Sequence, residues 1–262
     1  MLTLNNSQVV RNGNIGIRLE WEAKATVARS TIAGNGSGGE FDGGGISVGN
    51  GKVTVVDSTI NENFSRGNGA GIYSWSGNVE IRNSTLSGNQ AGGSGGGIFI
   101  ARETSLPGSE AWLNNVTITQ NTADADRDGV GEGGGIASAG MPIRIQNSLI
   151  AENHDASPGT QYPDCSGALE SLDYNLIGDL TGCSLSGETA HNVVGLAPRL
   201  GGLRDNGGPT RTHALLRGSP AIGAGNPAIP GSGGTACEAS DQRGVLRDVP
   251  PRGVCDIGAF ER

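Results

Sequence analysis

Short runs that alternate apolar and polar residues return along this chain at a nearly constant interval. Ile46-Ser47-Val48, Ile72-Tyr73-Ser74 and Ile98-Phe99-Ile100 form one set, each directly after a cluster of glycines. Val53-Thr54-Val55, Val79-Glu80-Ile81 and Ile143-Arg144-Ile145 form a second set, and Thr59-Ile60, Thr85-Leu86 and Thr117-Ile118 a third. Period-two alternation rich in β-branched residues predicts strands with one face buried. Ile46 to Ile72 is 26 residues and Ile72 to Ile98 is 26 again, so three strands share a unit too short for the helix of a βαβ crossover. A coil stacked on its own copy, strand on strand at about 4.8 Å, satisfies its backbone from its neighbours. The expected fold is all-β: a single-stranded solenoid, the parallel β-helix, right-handed like other parallel crossovers, with about seven to eight coils.

Lining up the copies shows which residues build it. Gly43-Gly44-Gly45-Ile46, Gly69-Ala70-Gly71-Ile72, Gly95-Gly96-Gly97-Ile98 and Gly133-Gly134-Gly135-Ile136 head the coils, with Gly16-Ile17 as a shorter version. Ser7, Ser30, Ser58, Ser84, Val116 and Ser148 occupy one column, and Asn12, Asn35, Asn63, Asn89, Asn121 and Asn153 follow it at a fixed offset. Stacked amides at a bend bond to the copies above and below, at about 1 kcal/mol each. A further column before the third strand holds Arg29, Asp57, Asn83, Asn115 and Asn147. Asn83-Ser84-Thr85 and Asn115-Val116-Thr117 also match the glycosylation acceptor pattern, but an internal ladder accounts for the whole column.

Composition fits a narrow core: glycine supplies 47 residues, apolar residues 35% and aromatics 4%. With a net charge of −8 and no run of Lys or Arg, the chain is not expected to bind nucleic acid or an anionic membrane. No stretch approaches the length of a transmembrane helix. Met1-Leu2-Thr3-Leu4 reads as a strand entering a repeat and not as a secretory leader, so the chain is expected to be a stretch from within a longer solenoid, and a monomer. Cys165, Cys183, Cys237 and Cys255 lie outside the regular repeats, in two pairs of equal spacing. Local pairing within each pair is the simplest of three connectivities. A four-thiolate zinc site is the rival, and it lacks a Cys-x-x-Cys clamp. Disulfides imply an oxidising compartment and secretion.

Chemistry is expected where the repeat breaks. The unit from Ile98 to Ile136 is longer, with extra residues from Arg102 to Glu110 and from Thr122 to Glu132. The second insertion contains Asp124-Ala125-Asp126-Arg127-Asp128-Gly129, alternate carboxylates before a glycine, as in the first half of a calcium loop. Gly135 stands where an EF-hand needs its twelfth-position acid, so a simpler calcium turn and a solvated acidic loop are the two readings. Tyr73, Phe99 and Trp75 on or beside the first strand, and Glu80, Trp112 and Arg144 on the second, point outward and suggest a platform on which sugars stack. The competing reading has the rings cover glycines and pack beneath loops. Glu20, Glu22, Glu62, Glu80, Arg82, Glu152, His154 and Asp155 offer charges for catalysis, but no carboxylate pair recurs in the tight arrangement of glycoside cleavage.

The last sixty or so residues read Leu203-Arg204-Asp205-Asn206-Gly207-Gly208-Pro209-Thr210-Arg211-Thr212-His213-Ala214-Leu215-Leu216. Gly218-Ser219-Pro220-Ala221-Ile222-Gly223, Asp241-Gln242-Arg243-Gly244 and Cys255-Asp256-Ile257-Gly258-Ala259-Phe260-Glu261 follow. This string resembles the C-terminal part of bacterial choice-of-anchor Q surface proteins, whose β-helices are pectate-lyase-like. The upstream repeats are also similar to those of polymorphic outer-membrane proteins. The resemblance implies secretion and attachment to the cell envelope through a signal beyond this segment, and it carries no catalytic set. Asp205, Arg211, His213, Asp241, Arg243, Asp256 and Glu261 are read as pinning a cap that covers the solenoid end. The division is then 1–200 for the coils and 201–262 for a disulfide-bonded cap. The functional expectation is an extracellular, adhesin-like surface protein that contacts a polysaccharide or cell-surface glycan, with calcium as the candidate ion. The alternative is a polysaccharide lyase or glycoside hydrolase on the same scaffold.

Overall fold

The computed structural model describes residues 1–36, 42–101, 110–248 and 253–262. The first insertion, apart from Glu110, lies outside them. Among the described residues there is no α-helix, and every strand pair of the solenoid is parallel. The first sheet stacks Ile17–Leu19, Ile46–Val48, Ile72–Trp75, Ile98–Ala101 and Ile136–Ala139. The second stacks Leu2–Asn5, Lys24–Ala28, Lys52–Val56, Asn78–Arg82, Ala111–Asn114 and Ile143–Gln146. The long strand Cys165–Leu172 turns the corner and belongs to both, and Cys183–Glu188 pairs with it. The third sheet runs from Gln8–Val10 through Thr31–Ala33, Thr59–Asn61, Thr85–Ser87 and Thr117–Thr119 to Val193–Val194. The disposition is that of a parallel β-helix.

The coil also has a fourth strand that the alternation does not reveal. Phe64–Ser65, Gln90–Ala91, Thr122–Ala123 and His154–Asp155 pair in a small sheet directly after the asparagine column. Two residues are too few to show a period, and no β-branched residue recurs there.

Register follows the repeat: Ile46, Ile72, Ile98 and Ile136 stack one on the next, and so do Val55, Ile81, Leu113 and Ile145. All are fully buried. Two columns of left-handed residues frame the third strand. Asn6, Arg29, Asp57, Asn83, Asn115 and Asn147 precede it with φ of 44–51°, and Arg11, Gly34, Glu62, Gly88, Gln120 and Glu152 follow it with φ of 54–68°. Asn and Asp tolerate this region better than other side chains, which explains why they dominate the first column.

The third glycine of each leading block has no room for a side chain. A Cβ on Gly71 would lie 2.4 Å from Gly97 O and 3.1 Å from the Asn89 amide, and one on Gly97 would lie 2.5 Å from Gly135 O. The glycine block and the asparagine column are thus two halves of one corner. Each asparagine Nδ2 donates to the next Oδ1 at 2.8–2.9 Å, from Asn12 through Asn35, Asn63, Asn89 and Asn121 to Asn153. The ladder ends on Asp164, whose Oδ1 accepts from Asn153 at 2.9 Å and whose Oδ2 accepts from Asp179 N at 2.8 Å. An acceptor-only group suits the last rung, and burial raises its carboxyl above the ordinary value. The serines form a parallel ladder, with Ser30 N and Ser58 N donating to the next hydroxyl at 3.1 Å.

The disulfide-bonded C-terminal region takes the form of a strap along the flank of the solenoid. Its residues bond to Thr59, Thr85, Thr117 and the corner asparagines 83, 115 and 147, so it crosses four coils on the outer face of the third sheet. Cys237 pairs with Cys255 within it, and Cys165 with Cys183 in the last coils. With every cysteine bonded, no zinc-ligating thiolate remains.

Asn89→Ala deletes two side-chain donor bonds and strands both Asn63 donors that use its Oδ1. It is expected to cost about 2–4 kcal/mol in urea unfolding. Asn12→Ala, at the more open first rung, is expected to cost about 1 kcal/mol or less. Equal midpoints for both variants and the parent chain would remove the ladder from the stability account.

Candidate functional site

The outer face of the second sheet carries a continuous column: Thr54, Glu80, Trp112, Arg144 and Glu170 in direct register. Strand alternation puts them outside because Val79, Ile81, Leu113 and Ile145 are committed to the core. Glu80 is bonded to Lys52 at 3.0 Å and Arg82 at 3.4 Å, and Arg144 to Glu170 at 3.0 Å and Glu110 at 3.7 Å. These pairs are solvent-accessible and add little stability, at most about 1 kcal/mol each, but they hold planar polar groups on both sides of a half-buried indole. Lys52, Asn78, Glu80, Glu110 and Trp112 line a cleft of about 520 Å³. An indole face flanked by carboxylates, an amide, an ammonium and a guanidinium can stack the C–H face of a sugar and bond its hydroxyls.

The other outward aromatics stand elsewhere. Tyr73 and Phe99 are neighbours on the first sheet, stacked with ring centroids 5.7 Å apart and planes 4° from parallel. They are half-buried, and their strand roots lie over glycines: a Cβ on Gly69 would meet Tyr73 Cβ at 2.8 Å, and one on Gly95 would meet Phe99 Cβ at 2.8 Å. Burial and then the adjacent Asp42 carboxylate raise the Tyr73 phenol well above its usual range. Trp75 ends the same strand and is 47% exposed. The six platform residues therefore divide between two sheets, with Glu80, Trp112 and Arg144 together and the Tyr73–Phe99 stack apart. Alternation tells which residues face out; it does not tell which outward columns share a cleft.

Asp124, Asp126 and Asp128 converge, with one oxygen of each within 4.8 Å of the others. Asp124 is buried and accepts from Gly129 N at 3.1 and 3.3 Å, while Asp128 accepts from Val130 N at 2.8 Å. Three hard oxygens in that span suit a calcium ion, whose bonds run about 2.3–2.6 Å.

Several charged residues of the C-terminal motifs hold the strap together, while Arg211 is exposed. Arg247, fully buried, bonds Glu261 Oε2 at 3.0 Å, Gly258 O at 2.8 Å and Asn83 Oδ1 at 3.0 Å. Asp241 holds Arg243 at 2.7 Å, and Arg243 lies over the Phe260 ring. Asp205 accepts from Gly207 N in an exposed turn. His213 Nδ1 donates to Gly201 O at 2.7 Å, so Nε2 accepts the Ser87 hydroxyl at 2.9 Å. This Ser–His pair has the contacts of a nucleophile and its base, yet both residues are buried where the strap meets the third sheet. Burial lowers the imidazole below its ordinary value and keeps it neutral.

A second cleft, of about 590 Å³, opens where the strap meets the first coils. Gln8, Thr31, Thr59 and Asn61 floor it, with Arg11 and Glu62 on one side and Asp205 and Arg211 on the other. Its walls are some 150 residues apart in sequence, and no spacing signal announces it.

A family model described as a right-handed β-helix region matches residues 1–107, in keeping with the parallel coils there. No curated protein and no solved structure matches the chain.

Asp256 gives the strap a pH signature. Burial and then the neighbouring Glu261 raise its carboxyl to about 6, from 3.8. Between these values the folded chain holds a proton that the unfolded chain has lost. The contribution is therefore complete below the unfolded value and disappears as pH rises through about 6. Compared with the parent, Asp256→Asn is expected to gain relative thermal stability between pH 5 and 7.5. A difference that stays constant across that range would show that Asp256 does not titrate there.

Proposed function

We propose that this protein is an extracellular, surface-displayed β-helix that contacts carbohydrate through the outward column of its second sheet. The observation that carries this is the cleft lined by Trp112, Glu80 and Glu110, with Arg144 next to Trp112 in register. The two disulfides support an oxidising environment, and the resemblance of the C-terminal motifs supports attachment to a cell envelope. Trp112 is the main binding residue, with Glu80, Glu110 and Arg144 bonding hydroxyls. The Tyr73–Phe99 stack and Trp75 form a separate patch that extends the surface available to a long glycan.

The second reading, cleavage of a polysaccharide by a lyase or glycoside hydrolase, is favoured by one observation: Glu80 and Glu110 line the same cleft. Release of reducing ends or of an unsaturated, ultraviolet-absorbing product would decide for it.

A panel of soluble bacterial, plant and host polysaccharides, titrated calorimetrically, is expected to contain a binder. Trp112→Ala is expected to weaken that binding at least tenfold while leaving the melting temperature nearly unchanged. If nothing in the panel binds, or if Trp112→Ala binds as well as the parent, the carbohydrate reading fails.

Calcium belongs to this proposal through the Asp124–Asp128 loop, where it would tie the insertion to the coil. Adding millimolar calcium to chelated protein is expected to raise the melting temperature, since a ligand of the folded state stabilises it by mass action. Asp126→Asn with Asp128→Asn is expected to abolish the rise. No rise in the parent chain would exclude the ion.

A further inference from the structure

We propose that the cleft between the first coils and the strap binds an extended peptide segment. The outer face of the third sheet is already a peptide-binding surface along most of its length. Asn115 accepts from Glu238 N at 2.9 Å and donates to Gly258 O at 3.3 Å. Asn147 accepts from Asn226 N at 3.0 Å and donates to Thr235 O at 3.0 Å. Thr59 donates to Arg211 O at 2.6 Å, and Thr117 accepts from Ala259 N at 3.0 Å. The sheet thus reads the backbone of the strap through amides and hydroxyls that both donate and accept.

This chemistry continues beyond the point where the strap ends. Thr31 stacks directly on Thr59, and Gln8 on Thr31, so the polar column runs on for two coils. Both of these residues line the cleft. Asn61 lies two residues from Thr59 and in register with Ser87. Ser87 is bonded by His213 of the strap, whereas the Asn61 amide faces the cleft with no protein hydrogen-bond partner among the described residues. An unpaired donor and acceptor at the floor of an open cleft match one peptide unit.

The walls favour a peptide over other occupants. Among the described residues no aromatic ring lines the cleft, which leaves it without a stacking face for sugars. Arg11 and Arg211 oppose Glu62 and Asp205, which suits a segment of mixed charge better than a polyanion. The rungs at Gln8, Thr31 and Thr59 span about 10 Å, the length of about three extended residues. The proposal is independent of carbohydrate binding at Trp112, which lies on another sheet.

The test uses the intact chain and a phage-displayed random heptapeptide library, with counter-selection on Asn61→Leu. Enriched peptides, synthesised with a fluorophore, are expected to bind the parent with micromolar affinity by anisotropy and to shift the Asn61 side-chain amide resonances. Asn61→Leu and, separately, Thr31→Arg, which fills the cleft from a partly exposed position, are each expected to weaken binding at least tenfold. Trp112→Ala is expected to leave it unchanged. If Asn61→Leu does not fold, Thr31→Arg and the amide resonances carry the test. The proposal is overturned if no peptide is enriched or if enriched peptides bind the cleft variants as tightly as the parent. It is also overturned if oligosaccharides, and not peptides, shift the Asn61 amide.

Discussion

Each coil takes its backbone hydrogen bonds from the coils above and below it, so a rung can stack only if its corners fall at the same places as those of its neighbours. Nearly everything regular in the chain follows from that requirement. The isoleucine columns fill the interior, but apolar packing alone does not fix register along a smooth stack of aliphatics. The corners fix it. There the left-handed turn residue, the asparagine amide and the glycine with no room for a Cβ interlock within a few ångströms. A slipped coil would lose its amide partner and drive a side chain into a carbonyl. The ladder therefore contributes specificity as well as its share of net hydrogen-bond energy.

The same demand leaves the outer faces unconstrained, and the chain has used them differently. The third sheet has been turned into an internal interface. Its threonines face outward because Ile60, Leu86 and Ile118 face inward, and the strap bonds to those threonines and to the corner asparagines. Strap and sheet are held by polar groups whose burial would be costly without partners, and Arg247 is the clearest case. The second sheet carries no such cover among the described residues. Its column of Glu80, Trp112 and Arg144 is stabilised by exposed pairs that are individually weak. Polar groups spent on the strap are sealed from solvent, whereas those on the second sheet remain available to a ligand.

What was legible in the sequence was whatever repeats. Ile46, Ile72 and Ile98 named the core, and Asn35, Asn63 and Asn89 named the ladder, because each copy meets the same surroundings one coil apart. The fourth strand escaped, since Phe64–Ser65 and Gln90–Ala91 are too short to show a period. The arrangement of the C-terminal region escaped for a different reason. Gln242 bonds Thr85 across 157 residues and Thr59 across 183, and pairings at that range leave no periodic trace. Asn83, Asn115 and Asn147 were visible as a column, but their role as anchors for the strap depends on a segment with no repeat at all. The carboxylate cluster at Asp124–Asp128 was visible because its members are local in sequence.

The contrast between Ser87 and Asn61 shows how position along one column decides function. They are register partners on adjacent coils of the third sheet, both outward and both buried. Over Ser87 the strap supplies His213, and the pair closes into a neutral, fully bonded contact with no access for a substrate. Over Asn61 the strap has turned away at Asp205–Arg211, and the amide faces open volume. Chemical reactivity read from residue types alone would favour the serine and histidine. The geometry reverses that ranking, because a satisfied group under cover has nothing left to offer a ligand, while an amide that faces a cleft without a protein partner among the described residues can exchange water for one.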